Sequence, residues 1–326
     1  MEADMKPHLA LTLACTIIAA QAGCGGGAAE TPPPETVETE PTPEPEPEPA
    51  PEPEPEPEVD TKQQKLDEAF AEAVGDHDWT LAWASLSQGA KAASVTGKAG
   101  LEDLHIAALE GDLEKVKKLV EEGADVTTES SGSQTPLHMA CLVGSKEVVT
   151  FLLENGAELE TRDFVGYTPV GFAALGGHFE LVQFLVEEKG AKAGKKKGEE
   201  GCSALHPAIH SGNLEMIKYL VKKGAKVRGE CGTGNTALHV AAGRDLVDVA
   251  KFLLSKGAKA NQRNDNGATP LHFAARDCPE GSNCVEMAQI LMKKGADKSF
   301  MDGADMMPFD YAAENNNSEL VEILQL

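Results

Sequence analysis

The stretch LHIAALEGDLEKVKKLVEEGAD, Leu104–Asp125, returns in altered wording as LHMACLVGSKEVVTFLLENGAE from Leu137, LHPAIHSGNLEMIKYLVKKGAK from Leu205 and LHVAAGRDLVDVAKFLLSKGAK from Leu238. The histidines His105, His138, His206, His239 and His272 are spaced by 33, 68, 33 and 33 residues. The long interval hides one more copy at Val170-Gly171, 33 residues after His138 and 35 before His206. Within a copy, proline after threonine suits the first turn of a helix, where its missing N–H costs nothing. The pair Ala107-Ala108 is small enough to let a second helix lie close. Val116, Leu119 and Val120 fall at i, i+3 and i+4, one apolar face of that second helix. Gly123 can then take the left-handed conformation that ends it. No copy can bury its own apolar face, so neighbours must stack into a solenoid.

The period and the wording, including Thr135-Pro136-Leu137-His138 and Thr269-Pro270-Leu271-His272, resemble ankyrin repeats. The resemblance covers six copies from Leu101 to about Asp302 and a truncated seventh to Leu326. It implies an all-α solenoid of helix-turn-helix repeats, with a polar segment of about ten residues between copies forming a β-hairpin finger. It also implies that the repeated histidines make structural hydrogen bonds. Partners of such proteins are usually gripped by finger tips and by the two positions after the Ala pair. Carried onto this chain, those positions include Leu142 and Val143 in the second repeat and Leu175 and Gly176 in the third. The finger between them reads Asp163-Phe164-Val165-Gly166-Tyr167, whereas others carry Thr128-Glu129-Ser130 or Asn264-Asp265-Asn266, polar as solvent demands. Leu142, Val143, Phe164, Val165, Tyr167 and Leu175 are therefore expected to converge on one concave apolar patch for a protein partner, the alternative being that Phe164 and Val165 fold back onto the neighbouring finger as local packing. Gly171, where the family has His, marks a local departure.

Both ends differ from the middle. Ala69–Lys91 keeps Gly-Asp and a terminal Gly-Ala but lacks Thr-Pro-Leu-His, so 62–98 reads as a degenerate N-terminal capping repeat before the repeat domain at 99–326. At the other end Pro308-Phe309-Asp310-Tyr311 has Asp310 in the His slot, as in a polar C-terminal cap.

Ahead of the repeats, Leu9–Ala20 is an apolar run of signal-peptide length preceded by Lys6, and too short to span a bilayer. Glu2 and Asp4 fit a positive n-region badly, which points to Met5 as a second candidate start. Gln21-Ala22-Gly23-Cys24 resembles a bacterial lipobox, with Gln21 where Leu is usual. It implies a signal peptide at 1–23 and acylation of Cys24. Ala20-Gln21-Ala22 also satisfies the A-x-A rule, so a soluble exported form is the alternative. Residues 24–61 read as a disordered spacer. Twelve of the 19 prolines lie in Pro32–Pro57, alternating with glutamates. Such a segment favours extended polyproline II and buries nothing. Its 28 residues Thr31–Glu58 reach roughly 80–90 Å at about 3.1 Å each.

The chain carries a net charge of −24, with −13 of it before Lys62. Affinity for phosphates rests on clustered Lys and Arg, so nucleic acid is disfavoured. Lys189, Lys192, Lys195, Lys196 and Lys197 form the one basic cluster, read as a solvated finger tip with Glu199 and Glu200 beside it. No H-E-x-x-H, C-x-x-C or G-x-S-x-G motif occurs. Gly190–Lys195 fails as a phosphate loop on spacing and lacks the Ser or Thr. Neither a cofactor nor a metal is therefore expected. Cys141 sits in the second Ala slot as a core thiol. Export places the remaining cysteines in an oxidising compartment, where Cys278 and Cys284, flanking the insertion 279–283, are expected to bond. Cys202 and Cys231 can do so if adjacent fingers come within about 7 Å between Cα atoms. The expected function is protein binding at the bacterial cell envelope by a lipid-tethered, monomeric, non-enzymatic module. A secreted or periplasmic inhibitor or immunity protein, or an accessory factor of an envelope enzyme, is the alternative.

Overall fold

The computed structural model describes residues 61–325 except 77, 96, 98, 195–201, 279–281 and 283. The signal segment, Cys24 and the Pro-Glu spacer lie outside them, as do Lys195, Lys196 and Lys197. Among the described residues sixteen α-helices follow one another in antiparallel pairs. The first pair is α1 (Thr61–Gly75) and α2 (Trp79–Ser87), followed by a 3-10 turn at Ala92–Val95. The repeats follow as α3 (Asp103–Glu110) with α4 (Leu113–Glu121), α5 (Pro136–Val143) with α6 (Lys146–Glu154), and α7 (Pro169–Leu175) with α8 (Phe179–Glu187). Then come α9 (Leu205–Ser211) with α10 (Leu214–Lys222), α11 (Ala237–Gly243) with α12 (Val247–Ser255), and α13 (Pro270–Arg276) with α14 (Val285–Lys293). The last pair is α15 (Pro308–Glu314) with α16 (Ser318–Gln325). First helices stack on first helices from α3 to α15. The alanine pairs, Ala107-Ala108 and their successors, are buried, which is what lets the helices approach.

Each repeated histidine ties its own helix to the next finger. The Thr135 N–H donates to His138 Nδ1 at 3.1 Å, and His138 Nε2 donates to the Tyr167 carbonyl at 3.3 Å. His239 does the same between the Thr236 N–H, 3.1 Å, and the Ala268 carbonyl, 3.1 Å. His105 reaches the Gln134 carbonyl, His206 that of Asn235 and His272 that of Met306. A backbone N–H can only donate and a carbonyl can only accept, so these partners fix the tautomer. At the third repeat Gly171 stands in the histidine slot, and a Cβ there would sit in ordinary contact with Pro207 Cγ at 3.5 Å. There Arg162 bridges the fingers instead, donating to the Gly166 carbonyl at 2.9 Å and towards that of Cys202 at 3.4 Å.

Among the described residues only one finger closes as a hairpin of two strands, β1 (Glu230–Cys231) and β2 (Asn235–Thr236). Other fingers close with a pair of backbone bonds, such as Asp163 N–H to the Tyr167 carbonyl at 3.0 Å and Gly166 N–H to the Asp163 carbonyl at 2.9 Å. Glu129, Asp265 and Asn266 face solvent as expected, but one polar residue in each of these fingers turns inward. Ser130, Asp163 and Asn264 are buried, and Asp163 Oδ1 accepts from the N–H groups of Gly166 at 2.9 Å and Tyr167 at 2.7 Å. These side chains hold the turn itself. Consecutive fingers join through bonds such as Phe164 N–H to the Gly132 carbonyl at 2.9 Å.

Among the described residues two disulfides are present. Cys278 bonds Cys284 within the sixth repeat, and Cys202 bonds Cys231 across adjacent fingers with Cα atoms 4.8 Å apart. Cys141 is a buried free thiol whose pKa burial pushes far up.

The N-terminal pair is helical, but its contacts are not those of a cap stacked only on the first repeat. The 3-10 turn meets α3, whereas α2 reaches α7, two repeats further on. The Trp79 ring lies 5.7 Å from Phe172, and Trp83 lies 5.6 Å from His178 just beyond the end of α7. Leu109, Leu142 and Leu175 occupy one position on successive first helices, so they stack in a row. The same position later holds His210, Gly243 and Arg276. An apolar row facing water costs free energy, and all three leucines are buried here.

Candidate functional site

The inner face of the first helices divides in two. Over the first three repeats it is filled. Leu142 and Leu175, expected to be exposed in a partner patch, have 0% and 1% of their surface accessible. They belong to the continuous hydrophobic core, which also includes Trp79 and Ala82 of α2. Buried to this extent, they offer a partner no surface. The expected six-residue patch is therefore reduced. Val143 is half-buried, as are Val165 and Tyr167, and Phe164 alone stands clear with 80% of its surface accessible.

Over the third to sixth repeats the face is open. A cavity of about 430 Å³ lies between the fingers and the first helices, bounded by Val165 and Tyr167 at one end and by Phe273 and Asp277 at the other. Val240 and Phe273, the residues just after the repeated histidines, provide apolar lining, and Gly243 opens room beside them. A Cβ on Gly243 would meet Asp277 Oδ2 at 3.1 Å and the Phe273 ring at 3.4 Å. Charged groups sit at the edge. Arg244 is exposed and donates to the His210 carbonyl at 3.2 Å, and Asp277 pairs with Arg276, which lies 4.6 Å from the centre of the Phe273 ring.

The electrostatics follow from burial. His210 is held down to about 4, first by burial and then by the Arg244 charge, so at neutral pH it presents an uncharged imidazole. Burial pushes the Tyr167 phenol up to about 12, with the charges of Asp163 and Asp78 adding to it. Apolar walls with a few polar groups at the rim suit a peptide or protein surface. Among the described residues no group of three His, Cys, Asp or Glu side chains could hold a metal ion. Likewise, no helix among them is long and apolar enough to cross a membrane.

Of the expected residues, the structure brings Val165 and Tyr167 into the cavity, with Phe164 on the same finger. Of the basic cluster, the described Lys189 and Lys192 do not line it. Lys192 pairs with Glu160 at 3.9 Å and Lys189 lies over the Phe184 ring. Val240, Arg244, Phe273 and Asp277 were missed by the sequence reading. The signal for two of them was available: Arg244 and Asp277 follow the alanine pairs of the fifth and sixth repeats, in the positions singled out in the second and third.

The family model described as "Ankyrin repeats (3 copies)" matches residues 104–197, 189–264 and 257–325. Among solved structures, the crystal structure of the human ASB11 ankyrin repeat domain is similar, at 31% sequence identity and a TM-score of 0.54. The match covers 69% of this chain and 97% of that one. A search of curated proteins returns no match.

Proposed function

Since this chain belongs to the ankyrin-repeat family, we propose that it is a non-catalytic protein-binding module, held at the bacterial cell envelope by an acylated Cys24 and a Pro-Glu spacer. The binding face is the open cavity of the third to sixth repeats, together with the finger that carries Phe164. The observation that carries this is the exposed Phe164 ring beside the half-buried Val165 and Tyr167 at the edge of that cavity. Large aromatic side chains at a cleft edge are the usual anchors of an interface. The acidic, proline-rich composition supports the spacer reading, because such sequences have little apolar surface to bury and their like charges repel. The lipobox-like Gln21–Cys24 supports the anchor.

The test is photo-crosslinking in the native cells, with the photoreactive residue placed at Phe164 or, on the outer helix α10, at Lys218. A discrete adduct from position 164 and none from 218 is expected. No adduct from 164, or the same adducts from both, refutes the assignment of this face.

A further inference from the structure

We infer that the protein partner presents a lysine or arginine side chain to a small acidic cavity beside the open face, where Asp76, Asp78 and Asp163 meet the Trp79 indole. The inference rests on the open face being the binding surface, and it names the chemistry that surface selects. This second cavity has a volume of about 260 Å³ and is lined by those four residues with Val165 and Tyr167. Val165 and Tyr167 also line the open cavity, so the two adjoin. Pockets for whole small molecules span roughly 300–1,000 Å³, so this one suits a single inserted side chain.

The charge of this cavity is one-sided. Asp78 Oδ1 caps α2, accepting from the Thr80 and Leu81 N–H groups at 3.1 Å, and Asp163 Oδ1 holds its finger turn. Asp163 Oδ2 accepts from the Gln134 amide at a long 3.5 Å. Glu160 and Glu187 elsewhere have a lysine partner, whereas no described lysine or arginine pairs with Asp76, Asp78 or Asp163. Their field crosses the shared wall: Asp163 and Asp78 both act on the Tyr167 phenol, and Asp78 also acts on His210 in the open cavity. Unpaired carboxylates at a binding surface attract a cationic partner and reject an anionic one. These residues form no metal site, so the fitting cation is an ammonium or guanidinium group. A separate observation points to a peptide as its carrier. The Trp79 side chain lines the same cavity with 3% of its surface accessible, yet its Nε1–H has no hydrogen-bond partner. A buried donor left unpaired is costly. The main-chain carbonyl beside a basic residue is an acceptor that a peptide brings and a free cation does not.

The probe is a library of random linear peptides displayed on phage and selected on the full chain, wild type and Asp76→Asn/Asp78→Asn. Asn caps a helix about as well as Asp, so the start of α2 is kept. Wild-type selections should enrich a lysine or arginine next to an apolar residue. Replacing that basic residue with norleucine, which keeps an apolar stem and removes the charge, should weaken binding at least about 10-fold. Against the double variant the same replacement should change affinity by less than about 2-fold, because the charge it removes has lost its partners. Winning peptides without a basic residue overturn the inference, as do an equal loss against both proteins and a selection that enriches nothing. If the double variant loses the wild-type far-UV spectrum, Asp76→Asn alone takes its place and should shrink the norleucine effect at least about 3-fold. An unchanged effect overturns the inference. Crosslinking from position 164 judges the open face separately, since it involves neither Asp76 nor Asp78.

Discussion

Lowering the pH from 7 to 5 should destabilise the solenoid through its buried histidines. His138 and His239 have no accessible surface, and each is held down to about 4 from an ordinary value of 6.5. Burial is the main cause in both; hydrogen bonds to backbone carbonyls oppose it, and the neighbouring His105 or His272 adds to it. The geometry agrees: Nδ1 of each ring accepts a backbone N–H, and a proton there would meet that donor head-on. With the folded value below the unfolded one, the unfolded chain binds more protons in this range. Stability is therefore fully present above about pH 6.5 and lost as the pH falls towards 4. From 6.5 to pH 5 is about 1.5 units, and each unit is about 1.4 kcal/mol, so each ring withdraws about 2 kcal/mol. The pair together withdraws about 4 kcal/mol, a large part of an ordinary folding free energy. Asp163, whose carboxyl burial pushes up, acts in the opposite sense. The discriminating quantity is thus a difference between proteins. Urea unfolding followed by far-UV circular dichroism, at pH 7 and pH 5 and constant ionic strength, should show a loss in His239→Gln smaller than in wild type by about 2 kcal/mol. The same loss in both proteins would refute the reasoning.

Phe172→Ala should cost about 3–5 kcal/mol in the same urea assay, because the ring is buried among Trp79, His138 and Tyr167. Phe164→Ala should change stability by less than about 0.5 kcal/mol. Once a partner is identified by crosslinking, Phe164→Ala should weaken its binding about 30-fold, the equivalent of about 2 kcal/mol; unchanged affinity places the anchor elsewhere. Alkylation of the unfolded, unreduced protein should mark Cys141 and leave Cys202, Cys231, Cys278 and Cys284 unmodified. Free thiols at Cys278 and Cys284 in exported material would contradict that pairing. The wild-type protein should enter the detergent phase on partitioning and Cys24→Ala should stay aqueous, since stable attachment takes more than one lipid chain. A wild type that remains aqueous points to cleavage after Ala22.

Much of the fold is legible because each repeat meets the same neighbour. Thr-Pro starts the first helix, the alanine pair permits close stacking, and the glycine after the second helix turns the chain, with Gly123 at φ 98°. Those are local demands repeated every 33 residues, so periodicity alone exposes them. The candidate site was less legible. Phe164, Val165 and Tyr167 stand out by type in one finger, but Asn264 looks like a surface residue and is a buried turn holder. An Asn or Asp that satisfies backbone N–H groups has the same letter as one that faces water.

By itself, then, the chain's wording determined a helical solenoid, its register, the histidine slots and the odd finger. It also pointed to Leu142 and Leu175 as part of a partner patch, and there tertiary structure decided otherwise. Leu142 and Leu175 are buried in the core, and the segment that reaches the third repeat beside them is α2, outside the repeats, with Trp79 against Phe172 and Trp83 against His178. Local periodicity carries no record of such a contact, because burying apolar surface is favourable whichever segment supplies the other side. Only the path of the folded chain shows that the segment is its own.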